Sequence, residues 1–507
     1  MTQAEKNRRV LEVDHLIPDL RRRTAKGGAI AVGAQIARMV IQLANLSIMA
    51  RLLPPADFGL VAMATAVTVF VGLFTDLGLS AATVQRKEIA HETVNALFYV
   101  NAAMGVFVML ATMAAAPLAG WGFHDPRVTW IVITLAAQIP IVALSVQHGA
   151  ILQRGMRWGA IQWSAIAAQF VGVLVGIVIA WQTDLGYWAL IVQSWISAVL
   201  GTALLWIVCP WRPGRTTDWH GARSALKFGL HLAGFNFVNY FHRQFDDVLV
   251  GSRWGAVELG YYTRAYELLR IPLVLISSPV ASAVIPALSR LQATPERWRN
   301  AYLEALGAVV LVSAGVTAMM IASAKPFVAL LLGPGWSAAA HVFELLAISM
   351  FAATPMNATG WIYISLGRSS RMFAWSLMAT PLIMISFLVG LPYGAAGVAF
   401  SYSCVMCVLT IPCLMFAAHG TPVRTLQMLR LTVLPIAAGV ASAAAGLAQH
   451  HSGAPPLLDF VTTCAVSGGL YTAAALALLV FDPIYTAWRA RAASWLKVIR
   501  MTASRSG

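Results

Sequence analysis

Residues 35–60 read QIARMVIQLANLSIMARLLPPADFGL, and residues 236–261 read NFVNYFHRQFDDVLVGSRWGAVELGY. Both stretches are largely apolar, but each contains four polar side chains at spacings of 3, 4 and 3 residues, which place all four on one face of a helix. The two polar sets correspond at a constant offset of 201 residues: Gln35, Arg38, Gln42 and Asn45 in the first stretch, and Asn236, Asn239, Arg243 and Asp246 in the second. Two helices with the same polar stripe at a fixed offset predict an internal duplication.

The composition places these helices in a membrane. Of the 507 residues, 59% are hydrophobic and 11% are charged, whereas about 25% are charged in an ordinary soluble domain. A hydrocarbon core about 30 Å thick requires about 20 apolar residues per helix. Stretches of this kind occur at 28–50, 59–80, 94–120, 128–151, 159–180, 187–209, 228–251, 264–289, 301–323, 337–366, 372–391, 394–418, 426–449 and 457–480. The sequence therefore excludes a soluble globular protein and predicts an all-α polytopic membrane protein with about 14 transmembrane helices.

The basic residues follow the predicted topology. The chain has 35 Lys and Arg against 20 Asp and Glu. If the N terminus is cytoplasmic and the helices alternate, the outer loops contain only Arg51, Arg127, Arg253 and Lys325. Because inner loops of membrane proteins concentrate Lys and Arg, the net charge of +15 reflects orientation, and we expect no nucleic-acid partner.

The duplication predicts two six-helix lobes. Because each repeat contains an even number of spans, a pseudo-twofold axis along the membrane normal would relate the lobes. The basic tails on either side are expected in the cytoplasm, and the C-terminal one has the pattern of an interfacial helix. The predicted segments are a cytoplasmic tail at 1–27, an N-lobe at 28–209, a C-lobe at 228–418, two further helices in 426–480, and a basic interfacial tail at 481–507.

The five cysteines all lie in apolar runs, which predicts no disulfide framework. Cys404 and Cys407 form a CxxC pair, but no second pair or histidine lies nearby to complete a metal site. We therefore expect neither a metal nor a bound cofactor.

Several charged residues fall within or at the edge of predicted spans. An arginine at the centre of a bilayer costs about 2.5–3.5 kcal/mol on insertion scales, so such side chains need a bundle interior or a watery cavity. Besides the two polar stripes, these residues include Arg264, Arg270, Asp76, Asp247 and Glu267. We expect the two stripes to face each other across a central cleft, since transporters place the substrate between repeats.

Longer motifs resemble a known family. They are ARLLPPADFGLVAMATAVTVFVGLFTDLGLSAATVQRKE at 50–88, LFYVN at 97–101, QFDDVLVGSRWGAVELGYYTRAYELLRIPL at 244–273 and IPALSRLQ at 285–292. These stretches are similar to the polysaccharide transporter (PST) family, the Wzx-type flippases of lipid-linked oligosaccharides. That family lies within the multidrug/oligosaccharidyl-lipid/polysaccharide (MOP) exporter superfamily, which also contains multidrug and toxin extrusion (MATE) carriers and the lipid II flippase.

The resemblance implies a two-lobed flippase of the bacterial inner membrane. Its cargo would be an undecaprenyl-pyrophosphate-linked oligosaccharide repeat unit, moved by alternating access for lipopolysaccharide or exopolysaccharide biosynthesis. The implied partners are the lipid-linked oligosaccharide, membrane lipid, and a polysaccharide polymerase or co-polymerase.

The polar residues of the predicted cleft suit such a cargo. Guanidinium groups offer paired donors to pyrophosphate oxygens, and the candidates are Arg38, Arg243, Arg270 and Arg264. The amides that would bind sugar hydroxyls are Gln35, Gln42, Asn45, Asn236 and Asn239. Candidates for coupling to an H⁺ or Na⁺ gradient are Asp246, Asp247, Glu267 and Asp76. In the alternative reading, Arg243 and the neighbouring aspartates neutralise each other for purely structural reasons.

Two other functions compete with this one. A cation-coupled multidrug antiporter of the same fold would need a cavity rich in carboxylates and aromatic rings, whereas arginines are at least as prominent here. A membrane polymerase or ligase would need a large external loop or an external acid–base pair, and the chain contains no G-x-x-x-x-G-K-[ST] motif. We therefore expect a transporter and not an enzyme.

Overall fold

The computed structural model describes most of the chain. The described residues are 3, 7, 11, 20–76, 78–86, 89–449, 455–481 and 485, with only the backbone described at 20–26, 29, 70–75, 85, 220–222 and 224–243. The predicted tails fall largely outside these residues, so the interfacial helix expected at 481–507 stays a prediction.

The chain divides into two compact units, residues 1–263 and 264–507. The helices of the first unit are α1 (Leu20–Leu52), α2 (Pro55–Asp76), α3 (Leu79–Gln85), α4 (His91–Gly122), α5 (Pro126–Ala136), α6 (Ile139–Arg154), α7 (Trp158–Gln182), α8 (Trp188–Val208) and the first part of α9 (Trp219–Arg290). α9 bends at Gly255, whose φ of 82° lies in the left-handed region that favours glycine. The bend falls between the spans predicted at 228–251 and 264–289.

The second unit contains the rest of α9 and a further set of helices. These are α10 (Pro295–Ala322), α11 (Ala324–Leu331), α12 (Ser337–Ser365), α13 (Ser369–Gly390), α14 (Gly394–Ala418), α15 (Thr425–Ala448) and α16 (Pro456–Phe481). Trp298 and Tyr302 of α10 stack with ring centroids 5.6 Å apart. They are buried in one apolar cluster with Trp361 of α12 and Met428 of α15, so packing of apolar side chains joins three helices of this unit.

The observed helices agree with a multi-pass protein. Within the described residues, eleven helical stretches are long and apolar enough to cross a membrane. Two of them, Gln244–Arg290 and Ser369–Ala418, have 47 and 50 residues, which is enough for two crossings of a core about 30 Å thick. Pro55–Val69 is a further, shorter apolar helix. The prediction of an all-α membrane protein with about fourteen crossings is confirmed, while the boundaries of the two lobes stay a prediction.

Two predicted spans are interrupted in the structure at points that the sequence did not indicate. The span expected at 128–151 is divided into α5 and α6, because Pro140 in the first turn of α6 lacks the N–H needed to continue the helix. The span expected at 59–80 ends at Asp76. The Asp76 carboxylate accepts hydrogen bonds from the backbone N–H and the hydroxyl of Ser80, and so satisfies one of the free N–H groups in the first turn of α3.

Asparagine side chains hold the segment that follows α8. Asn95 of α4 accepts from the N–H of Gly214 at 3.0 Å and donates to the carbonyl of Thr216 at 2.8 Å. Asn7 makes the same pair of bonds with the N–H and the carbonyl of Arg212, at 3.0 and 2.9 Å. Because each asparagine satisfies a backbone donor and a backbone acceptor, the connection between the two predicted lobes is fixed to the first unit.

The start of α2 crosses α9 at two glycines. A Cβ atom at Gly59 would overlap the carbonyl group of Ala256, and a Cβ atom at Gly260 would overlap the carbonyl group of Pro55. Under the offset of 201 residues, Gly59 corresponds to Gly260 and Pro55 corresponds to Ala256. Each stretch therefore places its glycine against the same position of the other stretch, which is the reciprocal pattern that a twofold axis produces. This crossing point supports the duplication inferred from the polar stripes.

We predict that Gly59→Ala and Gly260→Ala destabilise the protein by similar amounts. Either methyl group would force two helix backbones apart, and overpacking of this kind costs about 1–3 kcal/mol. The midpoint of thermal unfolding in detergent should therefore fall in both variants. Gly149→Ala is the matched control, since a Cβ atom there meets nothing within 4 Å, and its midpoint should stay level or rise. A wild-type midpoint in either crossing-point variant would contradict the contact.

Candidate functional site

The first polar stripe lies on one face of α1. Nη2 of Arg38 donates to Oε1 of Gln35 at 3.3 Å, so these side chains share a face, as their spacing predicts. Gln35 and Gln42 are exposed, whereas Arg38 and Asn45 are half-buried. Oδ1 of Asn45 is buried and has no hydrogen-bond partner among the described residues. An apolar helix thus carries a guanidinium group and an amide whose oxygen is unpaired within the described part of the chain.

The second polar stripe is described only at its end. The side chains of Asn236, Asn239 and Arg243 lie outside the described residues, although the helix that carries them is described. Whether these three side chains meet the first stripe stays a prediction.

Asp246 ends the second stripe and is buried. Its side chain is 7% exposed, and its Oδ2 accepts a hydrogen bond from the hydroxyl of Tyr262 at 2.7 Å. The other carboxylate oxygen is buried without a hydrogen-bond partner among the described residues. Asp247, the next residue, is half-buried. Among the described side chains, the neutral hydroxyl of Tyr262 is therefore the group that stabilises a charge on Asp246.

The charges beyond the bend of α9 are partly paired. Nη1 of Arg264 forms an ion pair with Oε2 of Glu267 at 2.6 Å, and both side chains are less than a quarter exposed. Arg270 is exposed. Because the pair carries no net charge, Arg264 is a weaker candidate for binding an anion than Arg38.

Two residues of the polar interior were missed by sequence reasoning. Tyr262, the partner of Asp246, lies sixteen residues away, and no helical spacing links the two. Arg154, assigned to an inner loop, is 8% exposed and donates to the carbonyl oxygens of Leu11, Thr83 and Arg86. Its partners are backbone groups distant in sequence, so no pattern of residue types could indicate them.

The described residues contain no group of three or more His, Cys, Asp or Glu side chains placed to hold a metal ion. The described residues do include groups that can bind an anion or a proton reversibly. Arg38 can donate paired hydrogen bonds to a phosphate group, and Asp246 is a carboxyl group that can take up or release a proton.

Comparisons with known proteins identify relatives of this chain. The model of a family described as "Polysaccharide biosynthesis protein" matches residues 48–341. The lipopolysaccharide biosynthesis protein WzxC of Escherichia coli is 22% identical over 402 residues, which are 77% of this chain and 80% of that protein. The succinoglycan biosynthesis transport protein ExoT of Rhizobium meliloti is 23% identical over 85% of this chain and 88% of that protein.

Solved structures share the fold. The lipid II flippase MurJ in an inward closed conformation superposes with a TM-score of 0.70 over 89% of this chain and 98% of that chain, at 11% identity. An inward-facing MATE family multidrug transporter of the MOP superfamily reaches 0.53 over 81% of this chain and 96% of that chain, at 14% identity. The expected MOP-type fold is thereby confirmed. Because the family model matches more than half of the chain, the protein belongs to the polysaccharide biosynthesis protein family, as its resemblance to the polysaccharide transporters predicted.

Proposed function

We propose that this protein flips undecaprenyl-pyrophosphate-linked oligosaccharides from the cytoplasmic to the periplasmic leaflet of a bacterial inner membrane. The relatives named for lipopolysaccharide and succinoglycan biosynthesis support this class of cargo. In this proposal both termini are cytoplasmic, and a polysaccharide polymerase receives the flipped unit.

The observation that carries the proposal is the environment of Arg38. The side chain is half-buried in an apolar helix, and it forms no ion pair with any residue whose side chain the structure describes. Its hydrogen bond to Gln35 uses a neutral amide oxygen, which leaves the positive charge uncompensated. A pyrophosphate supplies two negative charges and acceptor oxygens that match the guanidinium fork. This favours an anionic cargo over the organic cations of a multidrug antiporter.

The polar neighbours of Arg38 suit the remainder of the cargo. Gln35 and Gln42 are exposed on the same helix face. Asn45 lies one turn beyond Gln42, and its buried carbonyl oxygen has no partner among the side chains that the structure describes. Amides both donate and accept hydrogen bonds, as sugar hydroxyls require. The stripe would therefore bind the pyrophosphate at Arg38, and the neighbouring amides would bind the first sugars, which are attached to one side of the pyrophosphate.

Arg38→Ala and Arg243→Ala should reduce polymer export at least about tenfold, because each removes a charge-assisted contact with the pyrophosphate. Arg38→Lys should retain part of the export, since an ammonium keeps the charge but loses the paired donors. The measurement is polymer at the cell surface, normalised to the protein found in the membrane. Arg51→Ala is the control, because Arg51 is an exposed cation near the end of α1, where it contacts Ser47. Wild-type export from both Arg38→Ala and Arg243→Ala would exclude the pyrophosphate site.

We propose Asp246 as the group that couples flipping to an H⁺ or Na⁺ gradient. Asp246→Asn preserves shape and can still accept from Tyr262, so the fold should survive while the coupling is lost. In proteoliposomes, flipping by this variant should no longer respond to an imposed gradient. Tyr262→Phe keeps the carboxylate and should keep the response. If collapsing both gradients leaves wild-type flipping unchanged, Asp246 has no coupling role.

A further inference from the structure

A cavity of ≈ 390 Å³ lies in the first unit, between the end of α4 and the bend of α9. Its lining includes Phe123, His124 and Asp125 from the α4–α5 connection, and Ser252, Arg253 and Ala256 from α9. The distribution of basic residues predicts that these segments face away from the cytoplasm. Pockets for small ligands measure about 300–1,000 Å³, so the cavity has the size of a small-ligand site.

His124 occupies a strained position in the cavity wall. The N–H of Asp125 donates to the carbonyl of Gly120 at 3.1 Å, which is the bond that closes a helix when the preceding residue is left-handed. His124 is that residue, with φ of 56°. Glycine is the usual residue there, because other side chains meet the backbone in this conformation. A histidine at such a position beside a cavity points to a role for its ring.

The uncompensated charge of the cavity is positive. The carboxylate of Asp125 accepts three hydrogen bonds from the guanidinium of Arg127, at 2.7 to 3.2 Å. These bonds lower the pKa of the Asp125 carboxyl below its usual value and neutralise it. Arg253 is exposed and forms no ion pair with any side chain in the described part of the protein. A ligand that matches this cavity therefore carries a negative group.

We propose that the cavity is a subsite for an acidic sugar, a hexose that carries a phosphate or carboxylate group. Arg253 binds the anionic group, and the His124 ring and the Ser252 hydroxyl form hydrogen bonds with the sugar hydroxyls. The Phe123 ring packs against the apolar face of the sugar. The assignment rests on the proposed function, because the cargo supplies the sugar after it has crossed the membrane.

The position of the cavity fits a release subsite. Ala256 lines the cavity and also contacts Gly59 at the crossing of α2 and α9. A sugar held beside Ala256 lies next to this crossing point, which is at the predicted periplasmic end of both helices. The subsite would therefore hold the glycan where an outward path between these helices begins.

Glucose 1-phosphate and glucose are suitable probes, titrated by calorimetry into the full-length protein in nanodiscs of phosphatidylcholine. Glucose 1-phosphate should bind at least about tenfold more tightly than glucose, and Arg253→Gln should remove this difference. Arg51→Gln, an exposed arginine outside the cavity lining, should leave both affinities unchanged. His124→Gly should weaken the binding of glucose 1-phosphate several-fold while the Tm stays level or rises, since glycine relieves the backbone strain. A histidine with only a structural role would not give this combination.

Three results would overturn the subsite: equal affinities for the two probes, an unchanged affinity in Arg253→Gln, or loss of sugar binding when the nanodiscs contain phosphatidylglycerol. The last result would identify a lipid headgroup as the occupant. Polymer export by the wild type, measured in parallel, tests the proposed function separately. Export without sugar-phosphate binding would contradict only the proposed subsite. Sugar-phosphate binding without export would contradict the proposed cargo and would leave the acidic-sugar site standing.

Discussion

An ionised side chain within a bilayer needs a countercharge, a hydrogen-bonding partner or water, and this requirement organises the polar residues of the chain. Arg264 has Glu267 one turn away, and Asp246 has the hydroxyl of Tyr262. Arg154 is surrounded by backbone carbonyls. Arg38 is different, because its described partner is a neutral amide. Under the proposed function, the cargo supplies the countercharge that the described side chains do not provide.

The duplication links this binding group to the crossing point of α2 and α9. The polar stripe of α1 and Gly59 at the start of α2 lie on consecutive helices joined by a short turn at Leu53 and Pro54. The second copy repeats the arrangement on the two sides of Gly255. Because the connections are short, separation of the helices at Gly59 and Gly260 would also displace the two stripes. Under the proposed function, one duplicated segment therefore carries both the cargo contacts and the crossing of α2 and α9.

The periodicity of the sequence was sufficient to predict which residues of α1 share one helix face. The 3, 4, 3 spacing placed Gln35 and Arg38 on one face, and the structure joins them by a hydrogen bond. The offset of 201 residues also relates Gly59 to Gly260, and the structure places both glycines at the crossing of α2 and α9. Helix bounds were less accurate where a single residue decided them, as at Pro140, which divides an apolar run of ordinary span length.

Contacts between distant segments could not be predicted in this way. Asn95 and Asn7, which hold the segment after α8, form hydrogen bonds with backbone groups. Because every residue has the same backbone groups, the pattern of residue types does not indicate such contacts. The cavity near His124 is formed by a helix end and a bend in another helix. No helical period relates its two walls, and the sequence identified Arg253 only as one of four outer cations.

The proposed cargo raises the question of how the charge of Arg38 is compensated once the cargo has left. When the pyrophosphate leaves, the charge of Arg38 remains on an apolar helix, and no described carboxylate is paired with it. Dry closure around an unpaired guanidinium would cost several kcal/mol, so the return step requires either water in the cleft or a new countercharge. In the second repeat, Asp246 and Asp247 follow Arg243 by three and four residues. A carboxylate that pairs with an arginine only after the cargo has left would couple its own protonation to the direction of transport. Under the proposed function, this is a reason for Arg243 and Asp246 to occur on the same stripe.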